Sequence, residues 1–216
     1  MTLSERLFPG RLAAFAPTLA EAGGITLGEL LAADGLSQRL RAIYGDALFA
    51  SQRDVLVSQY SKYYAMALLP PVLVATLVHG WRLPLGNLRV VLDERGLPAA
   101  IQLMGEGEPG TTAKCFADLL ERHLPPVIHS LADYGQVPEA VLWANVGDYF
   151  ESTLQKLGAL TEADLDAGFP PLRTPGGPLF DAIRYSPYRK RRVCCLAYHV
   201  EGIGHCEHCP TARSLT

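Results

Sequence analysis

The sequence predicts an α+β fold: a mostly helical body, a small antiparallel β-hairpin or sheet, and a C-terminal four-cysteine metal-binding segment. Three observations predict it. Apolar residues recur at helical spacing through most of the first 160 positions. Two short β-prone runs, 88–92 and 99–103, face each other across a turn. Four of the five cysteines are crowded into the last part of the chain, as Cys194, Cys195, Cys206 and Cys209.

Residues 1–50 read as short helices, punctuated by Gly23, Gly24 and Gly35. Thr26, Leu27, Gly28 and Glu29 have capping-box form, in which the Thr26 hydroxyl and the Glu29 carboxylate each accept from the other residue's backbone N–H. A longer helix is expected to start near Ser51 and run to Leu69. Pro70 and Pro71 lack the N–H that a helix interior needs, so they should end or kink it. Residues 72–78 then form a second apolar segment, stopped by Gly80. The apolar stretch 65–78 falls short of the roughly twenty residues of a bilayer span, so a buried helix pair is expected and no transmembrane segment.

Runs 88–92 and 99–103 form a hairpin about Asp93, Glu94, Arg95 and Gly96. After a loop over 105–112, Thr112 caps a helix over 113–123, and Pro125-Pro126 reset the chain into a short helix ending at Gly135. Pro138 opens a helix over 139–157, stopped by Gly158, with Leu142, Trp143, Val146, Phe150 and Leu154 along one stripe. Residues 161–167 make a capped turn. Residues 170–178, containing Gly176-Gly177, link into the cysteine segment. The expected organisation is a helical body over 1–178 and a cluster-binding segment over 179–216.

The chain of 216 residues can bury a substantial core. Its net charge of −3 gives no general attraction to nucleic acid or anionic membrane. No G-x-G-x-x-G follows a strand, and no P-loop, nucleophile elbow or H-E-x-x-H occurs, so nothing points to nicotinamide, flavin, nucleotide or hydrolase chemistry. Pro9, Gly10, Arg11 and Pro17, with Glu5 and Glu21, interrupt the first thirty residues, which therefore do not resemble a secretory signal. The expected location is the cytoplasm, where clustered thiols stay reduced and serve metals or redox chemistry.

The cysteine pattern is C-C-x10-C-x2-C, followed at once by Pro210. Vicinal cysteines are strained disulfide partners. A four-cysteine zinc site usually pairs two C-x2-4-C knuckles, and only Cys206 and Cys209 have that spacing. Adjacent side chains of an extended segment point apart, so Cys194 and Cys195 do not easily take neighbouring corners of one tetrahedron. A [2Fe–2S] rhomb offers two metals with separated ligand positions and suits them better, although zinc stays open on this chemistry alone. His199, His205 and His208 are not needed as ligands and are expected to be solvated or to donate to sulfur. Cys115, alone on a helix, is expected to be a small buried hydrophobe.

Arg191, Arg192, Cys194, Cys195, Leu196, Tyr198, Cys206, Cys209 and Pro210, with Tyr188 as a looser match, resemble the C-terminal signature of the FhuF-type siderophore-iron reductases. Ser61-Lys62-Tyr63-Tyr64 and Leu142-Trp143-Ala144-Asn145 are similar to body motifs of that family. The resemblance implies a [2Fe–2S] cluster on the four cysteines. It implies an oxidoreductase that passes one electron to siderophore-bound Fe(III), of hydroxamate type, and releases Fe(II) in the cytoplasm. With no dinucleotide fingerprint, electrons would come from a protein donor such as a ferredoxin or flavin reductase. Trp143, Lys62 and Tyr63 are candidates for the substrate pocket. A four-thiolate [2Fe–2S] centre is a dianion that becomes a trianion on reduction, so nearby cations raise its potential. Arg191 and Arg192 are candidates for that tuning, and Arg189 and Lys190 for docking a partner. A [2Fe–2S] carrier or redox sensor without siderophore activity, and a zinc-stapled interaction module, are the alternative readings.

Overall fold

The computed structural model describes residues 2–185, 188–200 and 203–212. The chain begins with α1 (Leu3–Leu7), a 3-10 helix over Gly10–Thr18, and two-residue strands β1 (Leu19–Ala20) and β2 (Ile25–Thr26). α2 (Leu27–Leu31), α3 (Ala33–Tyr44) and α4 (Asp46–Ser51) follow. The Thr26–Glu29 capping box forms as expected, and Thr2 and Glu5 make a second one on α1.

The spine of the fold is α5, which runs unbroken over Arg53–His79 and is buried along almost its whole length. The expected break at Pro70-Pro71 does not occur. Leu68, Leu69, Val72, Leu73 and Val74 are all at most 2% exposed, and that burial outweighs the roughly 3 kcal/mol that each interior proline costs a helix. Gly80 ends the helix in the left-handed region at φ 57°, its N–H bonding the Ala75 carbonyl. Joined in this way, α5 is long and apolar enough to cross a membrane, yet 78% of its most apolar window is buried inside the protein.

β3 (Trp81–Arg82) leads to the expected hairpin, β4 (Arg89–Leu92) and β5 (Pro98–Gln102). Asp93 closes the turn by accepting the backbone N–H groups of Arg95 and Leu97, each at 2.9 Å. The hairpin is the centre of a four-stranded sheet ordered β1-β5-β4-β2, in which β1 is parallel to β5 and the other pairs are antiparallel. The loop expected over 105–112 contains β6 (Glu108–Pro109), which pairs with β3.

Thr111, not Thr112, caps α6 (Thr112–Ala117), because Thr111 is the residue with extended backbone and its hydroxyl faces the Lys114 N–H. A π-helical turn over Asp118–His123 then passes directly into α7 (Leu124–Gly135). α8 (Glu139–Leu160) continues through Gly158, a cost of about 1 kcal/mol that a long packed helix absorbs. The expected linker over 170–178 contains α9 (Pro170–Arg173), and the chain ends in the hairpin β7 (Ile183–Tyr185) and β8 (Arg189–Arg191) before the cysteines.

Candidate metal centre

The cysteine segment is fastened to α8 first by close approach. A Cβ at Gly147 would lie 2.3 Å from the Cβ of Ala182, so only glycine lets the start of β7 sit against the helix. Side chains alternate across a strand, and β8 uses this alternation to divide its cations. Arg189 and Arg191 point toward α8. Lys190 is half-buried, and Arg192, just beyond the strand, is exposed.

Arg189 reaches Glu151 Oε2 from Nε at 2.8 Å and pairs with Asp148 at 2.9 Å. It also donates to Ser152 Oγ at 3.0 Å. Arg191 is 2% exposed, pairs with Asp148 at 3.2 Å and donates to Asn145 Oδ1. The four cations expected to act as one run, two for tuning and two for docking, therefore separate along a different line. Arg189 is caged by carboxylates and holds β8 on α8, while Lys190 and Arg192 are left toward solvent.

The other wall is α5. Ser58, Gln59, Ser61 and Lys62 lie at positions i, i+1, i+3 and i+4, which share one helix face. Ser58 Oγ and Gln59 Nε2 both donate to the Cys195 carbonyl, at 2.8 and 2.7 Å. Lys62 Nζ donates to Cys195 Sγ at 3.0 Å and to Gln59 Oε1 at 2.8 Å. Asn145 ties the two walls together. Its amide donates to Ser58 O at 2.9 Å and Ser61 Oγ at 2.8 Å while its carbonyl takes Arg191. Each of these residues is at most 9% exposed.

Between the walls, Leu196 takes a left-handed conformation at φ 64°. That turn lets the Leu196 N–H donate to Cys194 Sγ at 3.3 Å. Cys195 Sγ lies 3.5 Å from Cys206 Sγ. The Thr211 hydroxyl sits 3.1 Å from Cys209 Sγ. His205 Nδ1 is 3.3 Å from the same sulfur. The Cys206 thiol, with Lys62 second, holds Cys195 far below the ordinary thiol range, at about 4, and Cys206 is pushed up in return. Burial pushes Cys209 up, but hydrogen bonds from Thr211 and His205 outweigh it and bring it down to about 7. Burial raises Cys194, with the Leu196 N–H opposing.

This donor set fits a dinuclear cluster. Two thiolates bound to one tetrahedral metal at about 2.3 Å lie about 3.8 Å apart, close to the Cys195–Cys206 separation of 3.5 Å. The charge also fits. Lys62 is a buried ammonium that makes no ion pair with a carboxylate among the described residues, and an unpaired buried charge is strongly destabilising. Its anion is the Cys195 sulfur.

Of the remaining candidates, Tyr63 lines a cleft next to Lys62, whereas Trp143 is packed against the hydrophobic core. Cys115 is buried, with its thiol raised by desolvation, and donates only weakly toward the Trp81 carbonyl at 3.9 Å. Sequence reasoning assigned no role to Ser58, Gln59, Asp148 or Glu151. The available signal was a polar i, i+1, i+3, i+4 set on an otherwise apolar helix, matched by Asn145, Asp148 and Glu151 at three-residue spacing on α8.

Residues 58–193 match the family model described as a ferric iron reductase FhuF-like transporter, and residues 191–210 match the FhuF 2Fe-2S C-terminal domain. The first match opens at Ser58, on the polar face of α5, and the second spans all four clustered cysteines. None of the curated proteins matches the chain.

Proposed function

The chain belongs to the FhuF-like ferric iron reductase family and its cofactor is a [2Fe–2S] cluster; on that premise we propose that Cys194, Cys195, Cys206 and Cys209 hold the cluster and that the protein reduces siderophore-bound Fe(III) in the cytoplasm. Cys195 and Cys206 would share one iron, and Cys194 and Cys209 the other. The first pairing follows the 3.5 Å Cys195–Cys206 separation and the second takes the two cysteines that remain, so that each iron would have one vicinal cysteine and one C-x2-C cysteine.

The observation that carries the reading is Lys62. A buried ammonium 3.0 Å from Cys195 Sγ, with no carboxylate paired to it among the described residues, suits a centre that is already anionic and gains a further negative charge. When bound, the cluster supplies a single electron. The chain's own residues do the rest. Lys62 favours the added negative charge, and the Leu196 N–H and His205 hydrogen-bond to sulfur. Ser58 and Gln59 hold the Cys195 carbonyl, and Asn145 braces Ser58, so that the thiolates are in position without reorganisation. Arg191 lends positive charge near Cys206, while Lys190 and Arg192 are the cations free to meet an acidic protein donor.

The substrate is a ferric chelate, preferably a trihydroxamate. Hard oxygen donors grip Fe(III) far more tightly than Fe(II), so one electron loosens the metal and releases it. No acid or base is required. The donor would be a ferredoxin or flavin reductase, in keeping with the absence of a dinucleotide fingerprint. The test is anaerobic mixing of the dithionite-reduced protein with a ferric trihydroxamate, following cluster reoxidation by absorbance and Fe(II) with a ferrous chelator. Stoichiometric Fe(II) is expected, together with no bleaching of the oxidised cluster by NADPH alone. Failure to reoxidise with any ferric chelate would leave the protein an electron carrier and refute the reductase reading.

A further inference from the structure

We propose that the cleft beside Lys62 is the docking site of the ferric chelate, and that it selects oxygen-rich chelates of neutral to negative charge. The proposal rests on the reductase reading and adds the place and chemistry of binding.

The cleft has a volume of about 800 Å³ and is walled by α3, α5, α8, the β4–β5 turn and the cysteine loop. Ligand pockets of roughly 300–1,000 Å³ accept molecules of several hundred daltons, the size of a hexadentate chelate. Its position joins it to the metal centre. Lys62 is part of its wall and also touches Cys195 Sγ at 3.0 Å, Gln59 bonds the Cys195 carbonyl, and Ile203 comes from the cysteine loop itself. A chelate resting on Lys62 is therefore separated from a cluster thiolate by one side chain, a short path for an electron.

The lining states the ligand class. Tyr44, Tyr63 and Tyr149 offer phenols, Lys62 and Arg95 are cations and Glu94 is a carboxylate, and Arg95 stays 67% exposed while pairing with Asp93 at 3.0 Å. Such a surface favours oxygen acceptors and disfavours a cationic complex. Met66 and Ile203 are large apolar residues left 44% and 49% exposed, and within the cleft they can cover the hydrocarbon arms of a chelate. A second cavity, of about 590 Å³, is lined by none of the thiols or the side chains bonded to them.

A redox-inert Ga(III) trihydroxamate tests the proposal on the cluster-loaded protein by calorimetric titration, alongside reduction kinetics with the Fe(III) form. Two variants act on the cleft without touching a thiol: Met66→Trp fills it, and Arg95→Glu reverses its charge. Expected are at least tenfold rises in the Kd for the gallium chelate and in KM, with visible spectrum and reduction potential as in the parent. Parental Kd and KM in both variants, with iron still reduced, would overturn the cleft and leave the reductase reading intact. Impaired electron entry from a ferredoxin in Arg95→Glu, with chelate binding unchanged, would assign the cleft to the donor and also overturn the proposal. Gallium-chelate binding that the variants abolish, without any reduction of the ferric form, would support the cleft and sink the reductase reading. Neither binding nor reduction by the parent would overturn both.

Discussion

Replacing Lys62 with methionine keeps the length of the side chain and removes one positive charge beside the cluster. The ammonium is 3.0 Å from Cys195 Sγ, and an iron held by that sulfur at about 2.3 Å would be about 5 Å from it. A unit charge at about 5 Å is worth about 3 kcal/mol at an effective dielectric of 20 and about 0.8 kcal/mol at 80. At roughly 0.7 kcal/mol per 30 mV for one electron, the potential should fall by about 35 to 140 mV. Lys62→Arg should stay near the parent, since it keeps the charge. The assay is a spectroscopically monitored redox titration of both variants with full iron content. An unchanged or higher potential in Lys62→Met, with an intact cluster, would refute the electrostatic argument.

Serine in place of Cys194, Cys195, Cys206 or Cys209 should lose or badly destabilise the cluster, measured as iron and sulfide per chain. Cys115→Ser should retain both, with a stability loss of about 1–3 kcal/mol from placing a hydroxyl in an apolar site. Asn145→Ala should cost at least about 1–3 kcal/mol by denaturant titration, since Ser61 and Arg191 lose a buried partner together, and iron content should fall with it. His123 carries a pH prediction. Burial holds its imidazole down at about 4, with the Leu85 carbonyl opposing, so it is neutral when folded and takes a proton more readily when unfolded. Its contribution is complete above about pH 6.5 and declines as pH falls toward 4, with about 2 kcal/mol lost by pH 5. His123→Gln should lose correspondingly less stability between pH 7.5 and 5 in urea titrations.

Local chemistry made the metal centre legible. C-C-x10-C-x2-C is a short-range pattern whose ligand geometry can be weighed without the fold, and the Asp93–Gly96 hairpin and the Thr26–Glu29 box are equally local. What escaped was set by distant contacts. Nothing within a helical window says that Pro70 and Pro71 will be surrounded closely enough to stay helical. Edge strands of two residues, β1 and β2, carry no periodicity and exist because the β4–β5 hairpin offers them partners. Lys62 and Cys195 are 133 positions apart, so the lysine was noticed beside the tyrosines but its bond to sulfur was not. The division of Arg189 and Arg191 from Lys190 and Arg192 required knowing that the segment is a strand, and a run of four basic residues does not look like one.

The polar face of α5 has a consequence for how this protein tolerates variation. On a helix buried nearly all round, no side is free of constraint, but the constraints are of two kinds. Leu56, Val57, Leu68 and Leu73 fill the core, and truncating any of them leaves a cavity that lowers the amount of folded chain. Gln59 and Lys62 instead serve the cysteine loop, and replacing them with apolar residues of similar size removes buried polar groups that the body does not use elsewhere. A saturation scan read twice, once for cellular abundance and once for iron release, should therefore give two different maps of one helix. Abundance should dip on the leucine and valine positions, and activity should be lost at 59 and 62 in protein that still accumulates.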